Sequence, residues 1–194
     1  MSAWPFAPLR PLCYGVILID PPWRQEFYGQ ETGTKKAPQA HYGCMDLEAI
    51  KAMPVGQLAG GDCFIVMWSL WNFVAPGYAT DVLRAWGFVP KSGGAWFKET
   101  KHGKQAFGTG YGFRGACEPF LTGAIGRPKI KSHSERNAIL GTLREHSRKP
   151  DSMHESLERM FPDVPRCEIF ARTRRPGWDA WGNQVDMFPA EASA

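Results

Sequence analysis

The aliphatic run Val16-Ile17-Leu18-Ile19, entered from Gly15 and stopped by Asp20-Pro21-Pro22-Trp23, constrains this chain more than any other feature. A short β-branched run bounded by a glycine and a proline pair reads as a buried strand. Neither proline can donate to a ladder and each fixes its own φ, so the strand must end sharply. In open α/β sheets, ligands bind beyond the carboxyl ends of the strands. A carboxylate, two stiff prolines and an indole are therefore delivered together to the place where chemistry is usually done.

That combination suits a planar nucleobase with an exocyclic amine. The ring can stack on Trp23, and its N–H groups can be held by Asp20 and by a carbonyl of the proline pair, which keeps its acceptors but adds no competing donor. The lone pair of an adenine N6 amine is delocalised into the ring. Hydrogen bonds to a carboxylate and a carbonyl draw that nitrogen toward a tetrahedral, nucleophilic state without a strong base. The competing reading makes Asp20 a helix cap and Trp23 core filler. On these four residues alone the two readings stand level.

The 194 residues, 43% of them apolar and 13% aromatic, suit one globular domain with a sizeable core over about 13–186 and a flexible tail over 187–194. No apolar run reaches the length of a bilayer span, and residues 1–10 hold no continuous apolar stretch of signal-peptide type. Five scattered cysteines, odd in number and without a C-x-x-C pair, argue for a reducing, cytoplasmic setting. The net charge of +4 permits a polyanionic partner without nominating one.

Strand-like and helix-like segments alternate along the chain. A long polar stretch, 24–41, follows the first strand and reads as a functional loop. Residues 46–53 read as a short helix with an acidic start, 63–68 as a second buried strand, and 74–86 as a helix closed by Gly87, with Pro76 in its first turn. Residues 94–98 and 118–123 are strand candidates flanking a glycine-rich, basic excursion. Residues 151–161 form an amphipathic helix with Met153, Leu157, Met160 and Phe161 on one face, and 167–171 the last strand. The order favours an α/β, Rossmann-like sandwich with a mostly parallel central sheet and helices on both faces.

Asp20-Pro21-Pro22-Trp23 after an aliphatic strand resembles the catalytic signature of the MT-A70-like adenine-N6 methyltransferases. His41-Tyr42-Gly43-Cys44-Met45, Gly108-Thr109-Gly110-Tyr111-Gly112-Phe113-Arg114, the segment from Arg144 through Lys149-Pro150-Asp151, Glu168-Ile169-Phe170-Ala171-Arg172 and Gly177-Trp178-Asp179-Ala180-Trp181-Gly182-Asn183-Gln184 resemble further family blocks. They occur in the family's order from about residue 15 to 185, which is far more specific than any one of them.

The resemblance implies S-adenosyl-methionine as cofactor and methyl transfer to adenine N6, with Asp20, Pro21, Pro22 and Trp23 as the catalytic loop. It implies that Lys149 pairs with the methionine carboxylate, that Ile169 and Phe170 wall the pocket, and that Arg172 binds the ribose, helped by Arg174 or Arg175. Asn183 and Gln184 would face the adenosyl portion, and Asp20 borders the same pocket. Two departures stand out: the cofactor-adenine wall that relatives carry before the catalytic strand is not obvious, and Arg174-Arg175 stands where relatives often have His-Asn. Tyr28, His41, Tyr42, Tyr111 and Arg114 are the substrate-binding candidates. Lys98, Lys101, Lys104 and the 127–136 segment are basic positions suited to phosphate contact.

DNA is the favoured polymer, RNA the alternative, and a non-catalytic binding partner of such an enzyme the third reading. A homodimer or a partner subunit is compatible with the chain, and a membrane partner is not expected. The five histidines show no zinc-ligand spacing, so no metal is expected, and His154-Glu155 reads as helix surface. The G-x-S-x-G elbow of a serine hydrolase and a Walker-type lysine are both missing.

Overall fold

A computed structural model describes residues 4–24, 43–145 and 148–188. Seven strands form one sheet in the order β5-β3-β4-β2-β1-β6-β7. These are β1 Tyr14–Ile19, β2 Ala59–Trp68, β3 Val89–Glu99, β4 Cys117–Ile125, β5 Ala138–Thr142, β6 Arg166–Ile169 and β7 Asp179–Trp181. β1 runs parallel to β2 and β6, β6 to β7, and β3 to β5, while β4 is antiparallel to both its neighbours. The sheet is thus mostly parallel, as expected of a Rossmann-like sandwich.

Side-chain alternation along β1 explains its apolar run. Ile17 and Ile19 point into one core with α1 (Leu47–Ala52) and α3 (Tyr78–Ala85), and Val16 and Leu18 into a second with α4 (Ser152–Met160). β2 divides in the same way, with Cys63, Ile65 and Met67 on the first face and Phe64, Val66 and Trp68 on the second. A central strand sealed on both sides cannot alternate apolar with polar residues. Asp46 caps α1 by accepting from the Ala49 N–H at 2.7 Å. Met153 and Leu157 are the buried stripe of α4.

Several expectations need correction. The helix foreseen over 74–86 is two helices, α2 (Trp71–Val74) and α3, because Gly77 adopts a left-handed φ of 90° between them. Pro76 therefore lies in the break and not in a first turn. Gly87, at φ 84°, ends α3 as anticipated, with the Phe88 N–H donating to the Leu83 carbonyl. The strands β5 and β7 were not foreseen. β5 is a five-residue edge strand with Leu140 exposed, and β7 spans three residues within what reads as a loop.

Candidate active site

β1 stops at Asp20, and the proline pair behaves as its chemistry requires. The Trp23 N–H closes a tight turn on the Pro21 carbonyl at 2.8 Å, and the Met45 N–H donates to the Pro22 carbonyl at 2.8 Å. Both carbonyls proposed to meet an amine thus already accept one backbone hydrogen bond, and each keeps a second lone pair. Trp23 is only 5% exposed. Its Nε1 donates to the Trp68 carbonyl at 3.1 Å and its ring rests against Phe73, centroids 4.8 Å apart. The indole fastens the loop to the end of β2.

Asp20 faces a cluster of partly buried charges. Lys149 Nζ lies 2.7 Å from Asp20 Oδ2 and 2.9 Å from Glu118 Oε1, and Lys98 Nζ lies 2.6 Å from Glu118 Oε2. The order Asp20–Lys149–Glu118–Lys98 alternates in sign and sums to zero, which is what permits such groups away from water. Arg144 holds the lysine in place: its guanidinium donates to the Lys149 carbonyl at 2.8 Å and pairs with Asp151 at 2.6 Å.

The four charges do not share protons evenly. Burial pushes the Asp20 carboxyl up, the Lys149 ammonium pulls it back, the Glu118 charge pushes it up again, and the net direction is upward. Burial also pushes Glu118 up, but two ammonium groups face it, Lys149 and then Lys98, and its net direction is downward. For Lys149 burial works against the charge, and the two carboxylates outweigh it, so its ammonium is held more firmly than usual. Asp20 and Glu118 are thus displaced in opposite directions from their ordinary values, and Glu118 has a second cation beside it in Lys98.

A cavity of ≈ 680 Å³ opens beside the cluster, with Asp20, Lys149, Glu168, Phe170, Arg172 and Arg175 in its wall. Phe170 takes a left-handed φ of 61° where β6 ends, an uncommon conformation for a bulky residue and one that clusters at ligand sites. The cavity floor is also charged. His154 Nε2 lies 2.9 Å from Glu168 Oε2, and the imidazole meets the Trp178 ring edge-on at 4.9 Å. His154 is thus a pocket residue and not the surface residue its sequence context suggests. Glu158 accepts from Trp178 Nε1 at 2.8 Å and pairs with Arg175 at 2.7 Å.

The residues expected to hold a cofactor divide between two cavities. Asp20, Lys149, Phe170, Arg172, Arg174 and Arg175 line the first. Asn183 and Gln184 line a second, of ≈ 500 Å³, with Trp181 and Asp186, and Arg174 borders both. Ile169 is fully buried in the core beneath and lines neither. Arg174 pairs with Asp186 at 2.8 Å. Tyr111 and Arg114 stand exposed on the β3–β4 hairpin, and Tyr28, His41 and Tyr42 lie outside the described residues. Glu118 joins the site without a motif to mark it; its one signal in the sequence is a lone carboxylate at the start of an otherwise apolar strand. Lys98, read as a phosphate contact, turns inward to Glu118 instead.

The MT-A70 family profile matches residues 14–184, spanning β1, the Lys149 turn and most of both cavities' walls. The chain belongs to the MT-A70 family. It is similar to an N(6)-adenosine-methyltransferase MT-A70-like protein of Arabidopsis thaliana, 28% identical over 177 residues that cover 89% of this chain and 24% of the plant protein. The type II methyltransferase M.MunI of Mycoplasma sp is 24% identical over 188 residues, 89% of this chain and 78% of the relative. The human N(6)-adenine-specific methyltransferase METTL4 is 26% identical over 197 residues, covering 90% of this chain and 38% of the relative. The chain thus spans about a quarter of the length of the plant protein it matches. No helix among the described residues is long and apolar enough to cross a membrane.

Proposed function

We propose that this MT-A70 chain transfers a methyl group from S-adenosyl-methionine to the N6 amine of adenine in DNA. The observation that carries the reading is the partly buried Asp20–Lys149 pair, 2.7 Å apart at the carboxyl end of β1 and in the wall of the ≈ 680 Å³ cavity. The cavity is of ligand size, and its wall holds both signs of charge, with Lys149 and Arg172 for a carboxylate and Glu168 and Glu158 for hydroxyl or ammonium groups. That donor set fits an amino-acid nucleoside. S-adenosyl-methionine supplies, when bound, a methyl group on a cationic sulfur.

The remaining chemistry belongs to the chain. Asp20 Oδ2 is taken by Lys149, and Oδ1 carries no hydrogen bond among the described residues, so it is the acceptor offered to an adenine amine N–H. A carbonyl of the proline pair that follows Asp20 is the second acceptor assigned to the amine. A carboxyl whose proton affinity is raised by burial is also the better acceptor as the amine nitrogen turns cationic. Lys149, with three donors and two of them directed at Asp20 and Glu118, keeps one for an anionic group. Arg172, Arg174, Arg175, Asn183 and Gln184 are assigned to the cofactor, and Tyr28, His41, Tyr42, Tyr111 and Arg114 to the nucleic acid. DNA is preferred over RNA because the relative that this chain spans most fully of the three is the type II methyltransferase.

The reading is tested by incubating the protein with S-adenosyl-methionine and duplex DNA, single-stranded DNA or RNA, digesting to nucleosides and identifying the product by mass spectrometry. N6-methylated deoxyadenosine is the expected product. A methyl group on another atom, or on RNA alone, contradicts it.

A further inference from the structure

The β3–β4 hairpin carries three aromatic rings that the core does not use. Phe107 is 79% exposed, Phe113 93% and Tyr111 fully exposed. Isolated apolar residues on a surface need no explanation, but three rings within seven positions form an exposed apolar patch that calls for a partner.

The backbone beneath them is built and not slack. The Ala106 N–H donates to the Lys98 carbonyl at 2.8 Å, the Gly108 N–H to the Gly115 carbonyl at 2.8 Å, and the Lys98 N–H to the Ala116 carbonyl at 2.9 Å. The two arms pack so closely that a Cβ on Gly108 would meet the Gly115 oxygen at 2.8 Å, and one on Gly110 would collide with the Phe113 carbonyl. Gly112 turns the tip at φ 79°. The glycines let main chain fold on main chain, and the rings are left outside. One of them already carries a cation, with the Arg114 guanidinium 5.3 Å from the Phe107 centroid.

Position and charge say what the rings meet. Phe97 pairs with Cys117, and Trp68 with Phe120, so the hairpin projects past the edge where β1 delivers Asp20. Its roots, Lys98 and Glu118, belong to the charge cluster around Lys149. Residues 100–117 contain Lys101, Lys104 and Arg114 and no Asp or Glu. Flat rings among uncompensated cations are the combination that binds unpaired bases: the faces stack on base faces and the cations meet phosphates.

We infer that Phe107, Tyr111 and Phe113 form a stacking platform for unpaired nucleobases next to the target adenine, a conclusion that rests on the nucleic-acid reading above. The platform holds the strand by ring contact while Lys101, Lys104 and Arg114 hold its backbone. It favours single-stranded or locally opened substrate, because only unstacked bases present free faces.

The test is fluorescence anisotropy of a labelled single-stranded DNA oligonucleotide against the full chain over a range of salt concentrations. The variants are the triple change Phe107→Ser, Tyr111→Ser, Phe113→Ser and, separately, Arg114→Gln. The triple variant should bind at least tenfold more weakly at every salt concentration, with the slope of log K against log salt unchanged. Arg114→Gln should instead shallow that slope by about one. Since the rings are solvent-exposed, the thermal unfolding midpoint should stay in place, and sedimentation velocity should give the same mass for both proteins.

Binding of the triple variant within twofold of wild type overturns the inference. So does unchanged DNA binding with a change in sedimenting mass, which would make the tip a protein–protein contact. Wild-type protein that methylates DNA with a triple variant equally active sinks the platform alone. Wild-type protein that binds no nucleic acid and methylates none sinks the functional reading with it.

Discussion

Lys149 Nζ sits 2.7 Å from Asp20 Oδ2 across 129 residues of chain, and the same ammonium reaches Glu118 at 2.9 Å. One cation thus ties the end of β1, the start of β4 and the turn before α4 into a single charged unit. Lys149→Met removes the cation shared by two partly buried carboxylates, of which Glu118 keeps Lys98, and the loss should lie toward the lower end of the buried-pair range, about 3 kcal/mol. Urea denaturation should show that loss as a lowered midpoint. Lys149→Arg should not restore activity, because a planar fork does not replace a point charge shared between two carboxylates. An arginine variant with wild-type rate and stability would refute the bridging role.

Asp20 should set the acid limb of the rate profile. Burial raises its carboxyl, so kcat/KM should fall, as pH decreases, at a pH above the ordinary aspartate value of about 3.9. Glu118→Gln removes a negative charge that pushes Asp20 up, so the limb should move to lower pH. The stability signs are opposite for the two groups. Glu118, held low by two ammonium groups, adds stability that is present above its ordinary value and lost as pH falls through its folded value. Asp20, held high, adds stability that is complete below its unfolded value and fades as pH rises through its folded one. A limb that shifts upward in Glu118→Gln contradicts this account.

Trp23 is a core residue in this structure, not the open stacking face its motif suggests. The indole is almost fully buried against Phe73 and bonded to the Trp68 carbonyl, so Trp23→Ala should cost about 3–5 kcal/mol of stability. Lost activity in that variant reports a displaced loop. Trp23→Phe keeps most of the packing and forgoes one hydrogen bond, a loss of about 0.5–1.5 kcal/mol. Thermal melts of both variants give the comparison, and equal melting points would remove Trp23 from the core.

Gly182 follows β7 and lies beside the residues that follow β6, its parallel neighbour. A Cβ there would meet the Ala171 oxygen at 2.9 Å and nitrogen at 3.1 Å, and Phe170 Cα at 3.1 Å. All three are backbone atoms, so the main chain after β6 and not a side chain must give. The Ala171 N–H to Trp181 carbonyl bond, 3.0 Å long, is the first to stretch. Gly182→Ala should weaken S-adenosyl-methionine binding about tenfold in calorimetry and cost about 1–3 kcal/mol of stability. Unchanged affinity would detach this corner from the cofactor site.

Much of this was legible in the residues. The two-faced burial of β1 shows in its unbroken aliphatic run, the left-handed Gly87 in its place after a helical pattern, and α4 in its Met153–Leu157 stripe. β5 was not legible, because a short edge strand with Leu140 in solvent leaves no alternation to read. The break before α3 turns on Gly77, whose turn signal as a Pro76-Gly77 pair is masked by the helical spacing around it. In the site, Asp20 and Lys149 were each visible within a motif, but their contact was not, since pairing across 129 residues leaves no periodic trace. Glu118 and His154 were hidden for a related reason: their partners, Lys149 and Glu168, come from other elements.

The most direct measurement is a single-turnover assay following labelled methyl from S-adenosyl-methionine onto an adenine-containing DNA strand, with wild type and Asp20→Asn side by side. The asparagine variant should bind the cofactor within a few-fold of wild type but transfer methyl about 10²–10⁴-fold more slowly, having lost the carboxylate that accepts the amine proton. A transfer rate in Asp20→Asn equal to wild type would contradict that role, because the partly buried pair at the end of β1 would then have no part in the chemistry.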